Sequence, residues 1–225
     1  MAKRLERPGV RGGYDLWAAS YDATPNPVVA LDRRHTLHHL RPAPGERILD
    51  AGCGTGANLT RIVEAGAKPV GLDFSREMLR VARRRAPGVP LAQADLNQKL
   101  PIRPERFDGF LCSLVSEHLE HLHVLLEGAY SVLRDGGRLA FAAFHPAVAT
   151  AGVEASFERE GTEYRLGAEP YTVDDYVNQI HDAGFRELRF RDYAVDESLV
   201  EEVPVARKYL GRPLLLVIEA LRAEA

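Results

Sequence analysis

Cysteine is scarce in this chain, and a long apolar run is absent. Its 225 residues include two cysteines, Cys53 and Cys112, and neither belongs to a CxxC pair. Two such thiols cannot form a disulfide framework and give no support to a structural zinc site, so we expect no metal. The opening residues lack the apolar segment of a signal peptide, and no stretch is long enough to span a bilayer. We therefore expect a cytoplasmic protein without a membrane partner.

A strong charge of one sign is also lacking. The sequence holds 29 lysines and arginines against 32 aspartates and glutamates, which gives a formal net charge of −3 at pH 7. This balance gives no support to a nucleic-acid partner, because binding a polyanion needs a basic surface. With 45% hydrophobic residues, a chain of this length can bury one sizeable core. We expect a single domain over residues 1–225, as a monomer or a homodimer.

A glycine-rich stretch is present at residues 48–56, Ile-Leu-Asp-Ala-Gly-Cys-Gly-Thr-Gly. It predicts a strand that runs into a tight turn and then a helix N-terminus, where bare backbone lets a ligand approach closely. The spacing Gly52-x-Gly54-x-x-Ala57 also satisfies a loose dinucleotide fingerprint, which is typical of an NAD-dependent oxidoreductase. Asp50 disfavours that alternative, because a carboxylate at this point repels a pyrophosphate but attracts an ammonium or a sulfonium.

Strand and helix patterns alternate along residues 46–145, which predicts a doubly wound α/β fold with a mostly parallel sheet. With its glycine-rich stretch, this region resembles the class I S-adenosylmethionine-dependent methyltransferases. The resemblance implies seven strands in the order 3-2-1-4-5-7-6, with the last strand antiparallel and helices on both faces. Strand patterns at residues 185–193 and 214–221 complete the count. The implied activity is methyl transfer from S-adenosylmethionine, and a non-catalytic protein that binds an adenosyl ligand is an alternative.

The resemblance also assigns parts of the cofactor to particular residues. Asp50 is expected to attract the positive end of S-adenosylmethionine, Asp73 to accept from the ribose hydroxyls, and Asp95 to accept from the adenine amino group. These three acids end successive predicted strands, which places them along one edge of the sheet. Met78 is expected to pack against adenine. The full set of expected cofactor-binding residues is Tyr21, Asp50, Gly52, Cys53, Gly54, Gly56, Asp73, Phe74, Met78, Asp95, Leu96 and Cys112.

The residues after the fourth predicted strand bear on the methyl acceptor. Residues 112–118, Cys-Ser-Leu-Val-Ser-Glu-His, lack the Asp/Asn-Pro-Pro-aromatic stretch of methylases that act on amino groups in nucleic acid. The chain is therefore similar to the branch that methylates oxygen, nitrogen or carbon of a small molecule. A base is needed only where the acceptor must lose a proton. The candidates are the pair Glu117-His118 and His145, and we expect His145 to face the substrate because it directly follows the fifth strand.

The N-terminal segment is expected to cover the site. Residues 1–12 are basic and contain glycine, which favours a mobile tail. A lid is expected at about residues 13–40, where Trp17 stands between Tyr14 and Tyr21. A tyrosine hydroxyl from this segment can reach the polar end of the cofactor, and simple packing of the rings on the core is the alternative.

An insertion at about residues 146–171 is expected to cap the substrate. It separates the fifth strand from the next helix, and residues 157–164 within it have a hairpin pattern. A connection of this length inside a compact domain is usually functional or mobile. It leaves the sheet at the edge where ligands bind in such folds.

Overall fold

The computed structural model describes residues 4–149 and 153–223. Its strands are β1 (Arg4–Glu6), β2 (Arg47–Ala51), β3 (Lys68–Asp73), β4 (Leu91–Gln93), β5 (Phe107–Ser113), β6 (Leu133–Phe144), β7 (Ser156–Arg159), β8 (Thr162–Arg165), β9 (Phe185–Ala194) and β10 (Pro213–Arg222). Its helices are α1 (Val10–Trp17), α2 (Pro27–Leu40), α3 (Ala57–Glu64), α4 (Arg76–Arg85), α5 (Leu122–Val132), α6 (Pro146–Ala149), α7 (Val173–Asp182) and α8 (Glu197–Glu202). Short 3-10 turns lie at Tyr21–Ala23, Ser116–His118 and Pro204–Tyr209. Within the described ranges, no helix combines the length and apolarity needed to cross a membrane.

Seven of the strands form one sheet in the spatial order β4-β3-β2-β5-β6-β10-β9. Neighbouring strands from β4 to β6 are parallel, whereas β10 runs antiparallel to both β6 and β9. Numbered by their appearance within this sheet, the strands stand in the order 3-2-1-4-5-7-6, with the last strand antiparallel. The predicted topology is therefore confirmed.

Successive side chains of β6 enter different cores, as expected for a strand that is covered on both faces. Leu139 and Phe141 pack in the cluster that contains the apolar side chains of α5 and α7. Ala140, which lies between them, packs with Leu40 of α2 and Ile62 of α3. Helices therefore cover both faces of the sheet, as predicted.

Capped helix starts fix the backbone next to the carboxyl ends of the strands. Ser75 follows β3, and its hydroxyl accepts from the Met78 N–H at 3.1 Å, which caps α4. The Asn26 side chain caps α2, with Pro27 at the first helical position, as the sequence predicted. These caps hold the starts of two helices that border the site.

A second, three-stranded sheet joins the N-terminus to the insertion after β6. β1 lies parallel to β8, with Arg4–Glu6 opposite Thr162–Tyr164, and β8 pairs antiparallel with β7. The β7–β8 pair confirms the predicted hairpin. The prediction of a mobile tail at residues 1–12 is wrong for the residues that form β1 and the start of α1. The physical reason is that the hairpin edge offers free N–H and C=O groups, which β1 satisfies. Residues 1–3 of the expected tail and 150–152 of the expected cap lie outside the described residues.

Candidate active site

The glycine-rich turn between β2 and α3 borders a cleft at the carboxyl ends of the strands. Gly52 has a φ of +84° and Gly54 a φ of +51°, values that residues with side chains rarely adopt. A Cβ on Gly52 would lie 2.2 Å from Cγ2 of Val115. A Cβ on Gly54 would meet no heavy atom within 4 Å. The turn is therefore packed against the protein at one glycine and open to a ligand at the other.

A first cavity of about 620 Å³ lies against this turn. The expected cofactor-binding residues that line it are Tyr21, Gly52, Gly54, Asp73, Phe74, Met78, Asp95 and Leu96. The expected residues that do not line it are Asp50, Cys53, Gly56 and Cys112. Sequence reasoning missed much of one wall, formed by Asn97, Ser113, Leu114, Val115 and Leu119. Most of these residues follow β5, and the position of that strand end was the signal that could have identified them.

Asp73 ends β3 and uses both carboxylate oxygens to hold the backbone. Its Oδ2 accepts from the Gly54 N–H at 2.9 Å, and its Oδ1 accepts from the Ser75 N–H at 2.8 Å. Burial raises the pKa of Asp73 to about 6, although these hydrogen bonds act in the opposite direction. Each oxygen keeps a further lone pair for a ligand hydroxyl. Asp73 thus ties the glycine turn to the start of α4 while it faces the first cavity.

Asp50 lies inside β2 rather than in the cavity wall. It is 2% exposed, and its Oδ2 has no hydrogen-bond partner among the described residues. Burial, followed by the charges of Asp32 and Asp73, raises the pKa of Asp50 well above its usual range. A buried oxygen without a donor destabilises a fold unless water or a ligand supplies one. This orphaned oxygen is compatible with the positive end of S-adenosylmethionine, which Asp50 is expected to attract.

Cys53, Gly56 and Cys112 pack behind the first cavity. Cys53 lies in a small core with Leu59 and Ala82, and Cys112 is fully buried in the main core. Burial raises the pKa of both thiols well above the ordinary value, so both are neutral near pH 7. A Cβ on Gly56 would lie 3.1 Å from the Cα of Ala82, which shows how closely α4 approaches the turn. These residues support the shape of the turn.

Aromatic side chains of α1 lie over the cleft. Trp17 stacks on Phe157 of β7, with ring centroids 4.9 Å apart and ring planes at 15°. The hydroxyl of Tyr14 lies 2.9 Å from Nε2 of His118. The N-terminal helix and the hairpin are therefore in contact with each other above the cleft, and α1 is also bonded to the turn after β5.

A second cavity, of about 880 Å³, adjoins the first. Much of its wall is apolar or aromatic and comes from segments far apart in the chain, including Trp17, Val28, Phe144 and Leu214. The residues that border both cavities are Tyr14, Tyr21 and Leu114. Sequence reasoning did not identify this cavity as a whole, because it exists only where α1, the hairpin and the turn before β10 meet.

His118 lines the first cavity. Burial lowers the pKa of His118 to about 4, so its imidazole is neutral near pH 7. Its Nε2 is bonded to Tyr14, and its Nδ1 is buried without a partner among the described residues. The preceding residue, Glu117, lines the second cavity instead.

His145 lies outside both cavities. Its Nε2 is 3.2 Å from Oδ1 of Asp192 in β9, and its Nδ1 accepts from the Ala147 N–H at 3.2 Å. Both ring nitrogens are therefore bonded within the protein. The cause is local, because α6 begins at the next residue and the ring is used to bond the start of that helix. The substrate-facing position that we expected for His145 is not observed.

Comparison with known proteins identifies relatives of the chain. A family model described as a methyltransferase domain matches residues 49–141. Demethylmenaquinone methyltransferase of Streptomyces griseus is 33% identical over 162 residues, which cover 70% of this chain and 67% of that protein. The enzyme of the same name from Streptomyces avermitilis is 32% identical over 163 residues, with the same two coverages of 70% and 67%. The crystal structure of an S-adenosylmethionine-dependent methyltransferase from Mesorhizobium loti matches with a TM-score of 0.73 and 24% identity, over 88% of this chain and 100% of that one.

The chain therefore belongs to the class I S-adenosylmethionine-dependent methyltransferases. It is an enzyme, and its reaction is methyl transfer, as the sequence predicted. The loose dinucleotide spacing at Gly52 and Gly54 does not indicate an NAD-dependent oxidoreductase in this chain.

Proposed function

We propose that the first cavity binds S-adenosylmethionine and that the second cavity binds the methyl acceptor. The observation that carries this proposal is the common wall, because Tyr14, Tyr21 and Leu114 border both cavities. Methyl transfer requires the acceptor atom to lie in line with the methyl carbon, and such positioning can supply roughly 7–11 kcal/mol of barrier reduction. Two adjoining cavities provide that proximity.

The residues of the first cavity suit the parts of the cofactor. Asp73 offers lone pairs to the ribose hydroxyls, Met78 offers an apolar surface to adenine, and Asp95 offers an acceptor to the adenine amino group. Asp50 lies behind the cavity wall, so its orphaned oxygen is assigned to the positive end of the cofactor only through a bridging donor such as water. When bound, S-adenosylmethionine supplies an electrophilic methyl group on a cationic sulfur.

Tyr14 and His118 form a polar part of the wall beside the cofactor. Burial raises the pKa of Tyr14 well above its ordinary value, so its hydroxyl stays protonated near pH 7. His118 is neutral at the same pH because burial lowers its pKa to about 4. A base with so low a pKa is weak near neutrality. We therefore assign His118 the role of positioning Tyr14, and not that of the base.

The second cavity suits a small aromatic acceptor. The relatives named above are demethylmenaquinone methyltransferases. The walls around Trp17, Phe144 and Leu214 can receive an apolar ring. We infer an acceptor with an apolar ring system and a polar group that reaches the common wall.

Calorimetry with S-adenosylmethionine, S-adenosylhomocysteine and NAD, titrated separately, tests the first cavity. Both adenosyl compounds should bind and NAD should not. Binding of NAD alone would contradict the proposal. Binding of the adenosyl compounds without methyl transfer to any aromatic acceptor would contradict the assignment of the acceptor class.

A filled second cavity separates the two assignments. Val28→Phe adds bulk to the second cavity, so it should weaken the acceptor and leave S-adenosylhomocysteine affinity unchanged. Val63→Phe is the matched control, because Val63 lies on α3 and is 48% exposed. Equal loss of cofactor and acceptor binding in Val28→Phe would mean that the two ligands do not occupy separate cavities.

A further inference from the structure

The short turn after β5 stands at the boundary of the two cavities. Two successive residues of this turn face different sides, since Glu117 lines the second cavity and His118 lines the first. The turn is held by bonds to other segments. Ser116 Oγ donates to the hydroxyl of Tyr176 at 3.1 Å, and the carbonyl of Glu117 accepts from the Glu169 N–H at 2.7 Å. Glu117 is therefore presented to the second cavity by a fixed backbone.

The carboxyl group of Glu117 has an unfilled hydrogen-bonding position. The residue is 9% exposed, and its Oε2 is buried without a partner within residues 4–149 and 153–223. Buried polar atoms in this condition are uncommon, because an unpaired group costs about 1–3 kcal/mol. In the wall of a ligand cavity, a donor group on the ligand satisfies such an atom.

A second carboxylate at the same cavity shows what a satisfied group looks like. Glu154 also lines the second cavity, but the Arg7 guanidinium donates to its two oxygens at 2.8 and 3.0 Å. The Gly167 N–H donates to the same carboxylate at 2.7 Å. Burial acts to raise the pKa of Glu154, but these hydrogen bonds and the arginine charges lower it overall. The carboxylate of Glu154 is thus fully bonded within the protein, whereas Oε2 of Glu117 is available to a ligand.

We propose that Glu117 is the catalytic base of the reaction and that the acceptor is a hydroxylated aromatic molecule whose O–H donates to Oε2 of Glu117. This inference rests on the proposed use of the second cavity. The aromatic and apolar walls receive the ring, and the unpaired carboxyl group receives the hydroxyl. An acceptor in its ammonium form fits less well, because it would add a positive charge near the sulfonium and near Lys208, which lines the cavity.

The step is a proton transfer that accompanies methyl transfer. The hydroxyl proton moves to the carboxylate of Glu117. The electron pair left on the acceptor forms the bond to the methyl carbon, either from the oxygen or from a ring carbon conjugated with it. The bond from that methyl carbon to sulfur breaks, and its electron pair stays on sulfur, which becomes neutral. Where a ring carbon is methylated, the hydrogen on that carbon then leaves as a proton to water, the ring becomes aromatic again, and the oxygen takes back the proton that Glu117 holds.

The surroundings of Glu117 suit a base that works near neutrality. Burial raises the pKa of Glu117 to about 7, close to the value at which a general base is most effective at neutral pH. Burial also raises the pKa of the neighbouring tyrosines, so their hydroxyls are neutral there. The titratable groups on which the charge of Glu117 acts are Tyr14, Tyr21, Cys112 and Tyr176. Glu154 and Lys208 are the other charged groups that line the same cavity, and His118 is the next residue in the chain.

Trp17 provides a readout that does not depend on turnover. It is the only tryptophan of the sequence, and it lines the second cavity. Its fluorescence therefore reports occupancy of that cavity. The probes are 1,4-naphthalenediol, which has two O–H donors, and 1,4-dimethoxynaphthalene, which has the same ring system and none. Both are titrated without oxygen into the full chain saturated with S-adenosylhomocysteine.

Glu117→Gln keeps the shape of the side chain and removes the base. It should weaken binding of 1,4-naphthalenediol by about tenfold or more and leave binding of the dimethoxy probe unchanged. Transfer of a labelled methyl group from S-adenosylmethionine to the diol should fall by about 10²-fold. Glu117→Asp, which keeps a carboxylate, should retain more transfer than Glu117→Gln. Glu127→Gln, on the exposed side of α5, removes the same charge and should change none of these values.

Two results would overturn the inference. One is equal binding of the diol and the dimethoxy probe, or no binding of the diol, in the wild-type chain. The other is unchanged diol binding and methyl transfer in Glu117→Gln, with S-adenosylhomocysteine still bound as in the wild type. Failure of the proposed function would differ from both, because the wild-type chain itself would then not bind S-adenosylhomocysteine.

Discussion

The two cavities share a wall but are built in different ways. The first lies at the ends of parallel strands, and backbone groups hold its main carboxylate, since Asp73 accepts from Gly54 and Ser75. The second lies between α1, the hairpin and the turn before β10, and its carboxyl group Glu117 keeps an unpaired oxygen. Local backbone geometry therefore defines the proposed cofactor site. The proposed acceptor site depends instead on a few side chains that α1, the hairpin and the turn before β10 bring together.

The largest expected effect comes from a change confined to the first cavity. Gly52→Ala should weaken S-adenosylhomocysteine by about 100-fold, because it combines a strained φ with a Cβ only 2.2 Å from Val115 Cγ2. Binding of 1,4-naphthalenediol to the second cavity, followed by Trp17 fluorescence, should change far less. Calorimetry on the same preparation gives the cofactor affinity.

Gly88→Ala is the matched control for the strain alone. Gly88 has a φ of +85°, close to the +84° of Gly52, but a Cβ on Gly88 would meet no heavy atom within 4 Å. It should lower stability without changing either affinity. If the affinities for both ligands fell equally in Gly52→Ala, the proposal that the two ligands occupy separate cavities would be contradicted.

The second effect concerns stability and belongs to the acceptor side. The folded chain holds the Glu117 proton up to about pH 7, whereas the ordinary pKa of glutamate is 4.5. Between these values the folded state binds more protons than the unfolded state, so the free energy of unfolding falls as pH rises. From pH 5 to pH 7 this contribution is about 2 kcal/mol. Glu117→Gln should remove this pH-dependent contribution. In urea denaturation, the free energy of unfolding of the variant should therefore rise relative to that of the wild type from about pH 5 to pH 7.

The comparison with Glu117→Gln isolates one group among several. Asp73, whose pKa is raised to about 6, acts in the same direction as Glu117. His118, whose pKa is lowered to about 4, acts in the opposite direction. Between that pH and its ordinary pKa of 6.5, the unfolded state binds the proton and the folded state does not, so the free energy of unfolding rises with pH. Both contributions are common to the two proteins and cancel in the difference. Parallel stability curves for wild type and Glu117→Gln would show that Glu117 titrates normally.

The third effect returns to the first cavity. Asp73→Ala should weaken S-adenosylmethionine by at least about tenfold, because a hydrogen bond to a charged group contributes about 1.5–3 kcal/mol. Asp108→Ala is the control, because Asp108 also accepts a backbone N–H, that of Arg47 at 2.8 Å, but at the start of β5. It should lower stability and leave affinity unchanged. Equal affinity in Asp73→Ala and wild type would reduce Asp73 to a support of the glycine turn.

The first cavity was largely predictable from sequence because its information is local. Gly52, Gly54 and Asp73 stand at the ends of strands, and a parallel sheet brings such ends to one edge whatever the rest of the chain does. Asp50 was placed on the correct strand, but sequence does not reveal whether a strand-end carboxylate faces the cavity or the core. The local pattern therefore predicts which turn borders the cofactor cavity. It says less about which side chains line that cavity.

The second cavity was not predictable in the same way. The pairing of β1 with β8 and the stacking of Trp17 on Phe157 join segments more than a hundred residues apart, and no local pattern encodes such contacts. His145 was expected to face the substrate, and the structure instead bonds its Nδ1 to the start of α6, a tertiary detail that depends on where one short helix begins. Glu117 and His118 were seen as a pair, but only the fold shows that they face different cavities.

The smallest expected effect distinguishes the two histidines. His118→Ala removes the bond to the Tyr14 hydroxyl and should lower turnover by about fivefold, the range of one lost hydrogen bond. S-adenosylhomocysteine affinity should change little. His118→Gln, whose amide can still bond the Tyr14 hydroxyl, should recover most of the rate.

His145→Ala removes the contacts to Asp192 and Ala147 and should lower the free energy of unfolding by about 1 kcal/mol with turnover unchanged. A large loss of turnover in His145→Ala, with normal folding and cofactor binding, would return the base to the end of β6 and remove the distinction between the cavities drawn from Glu117.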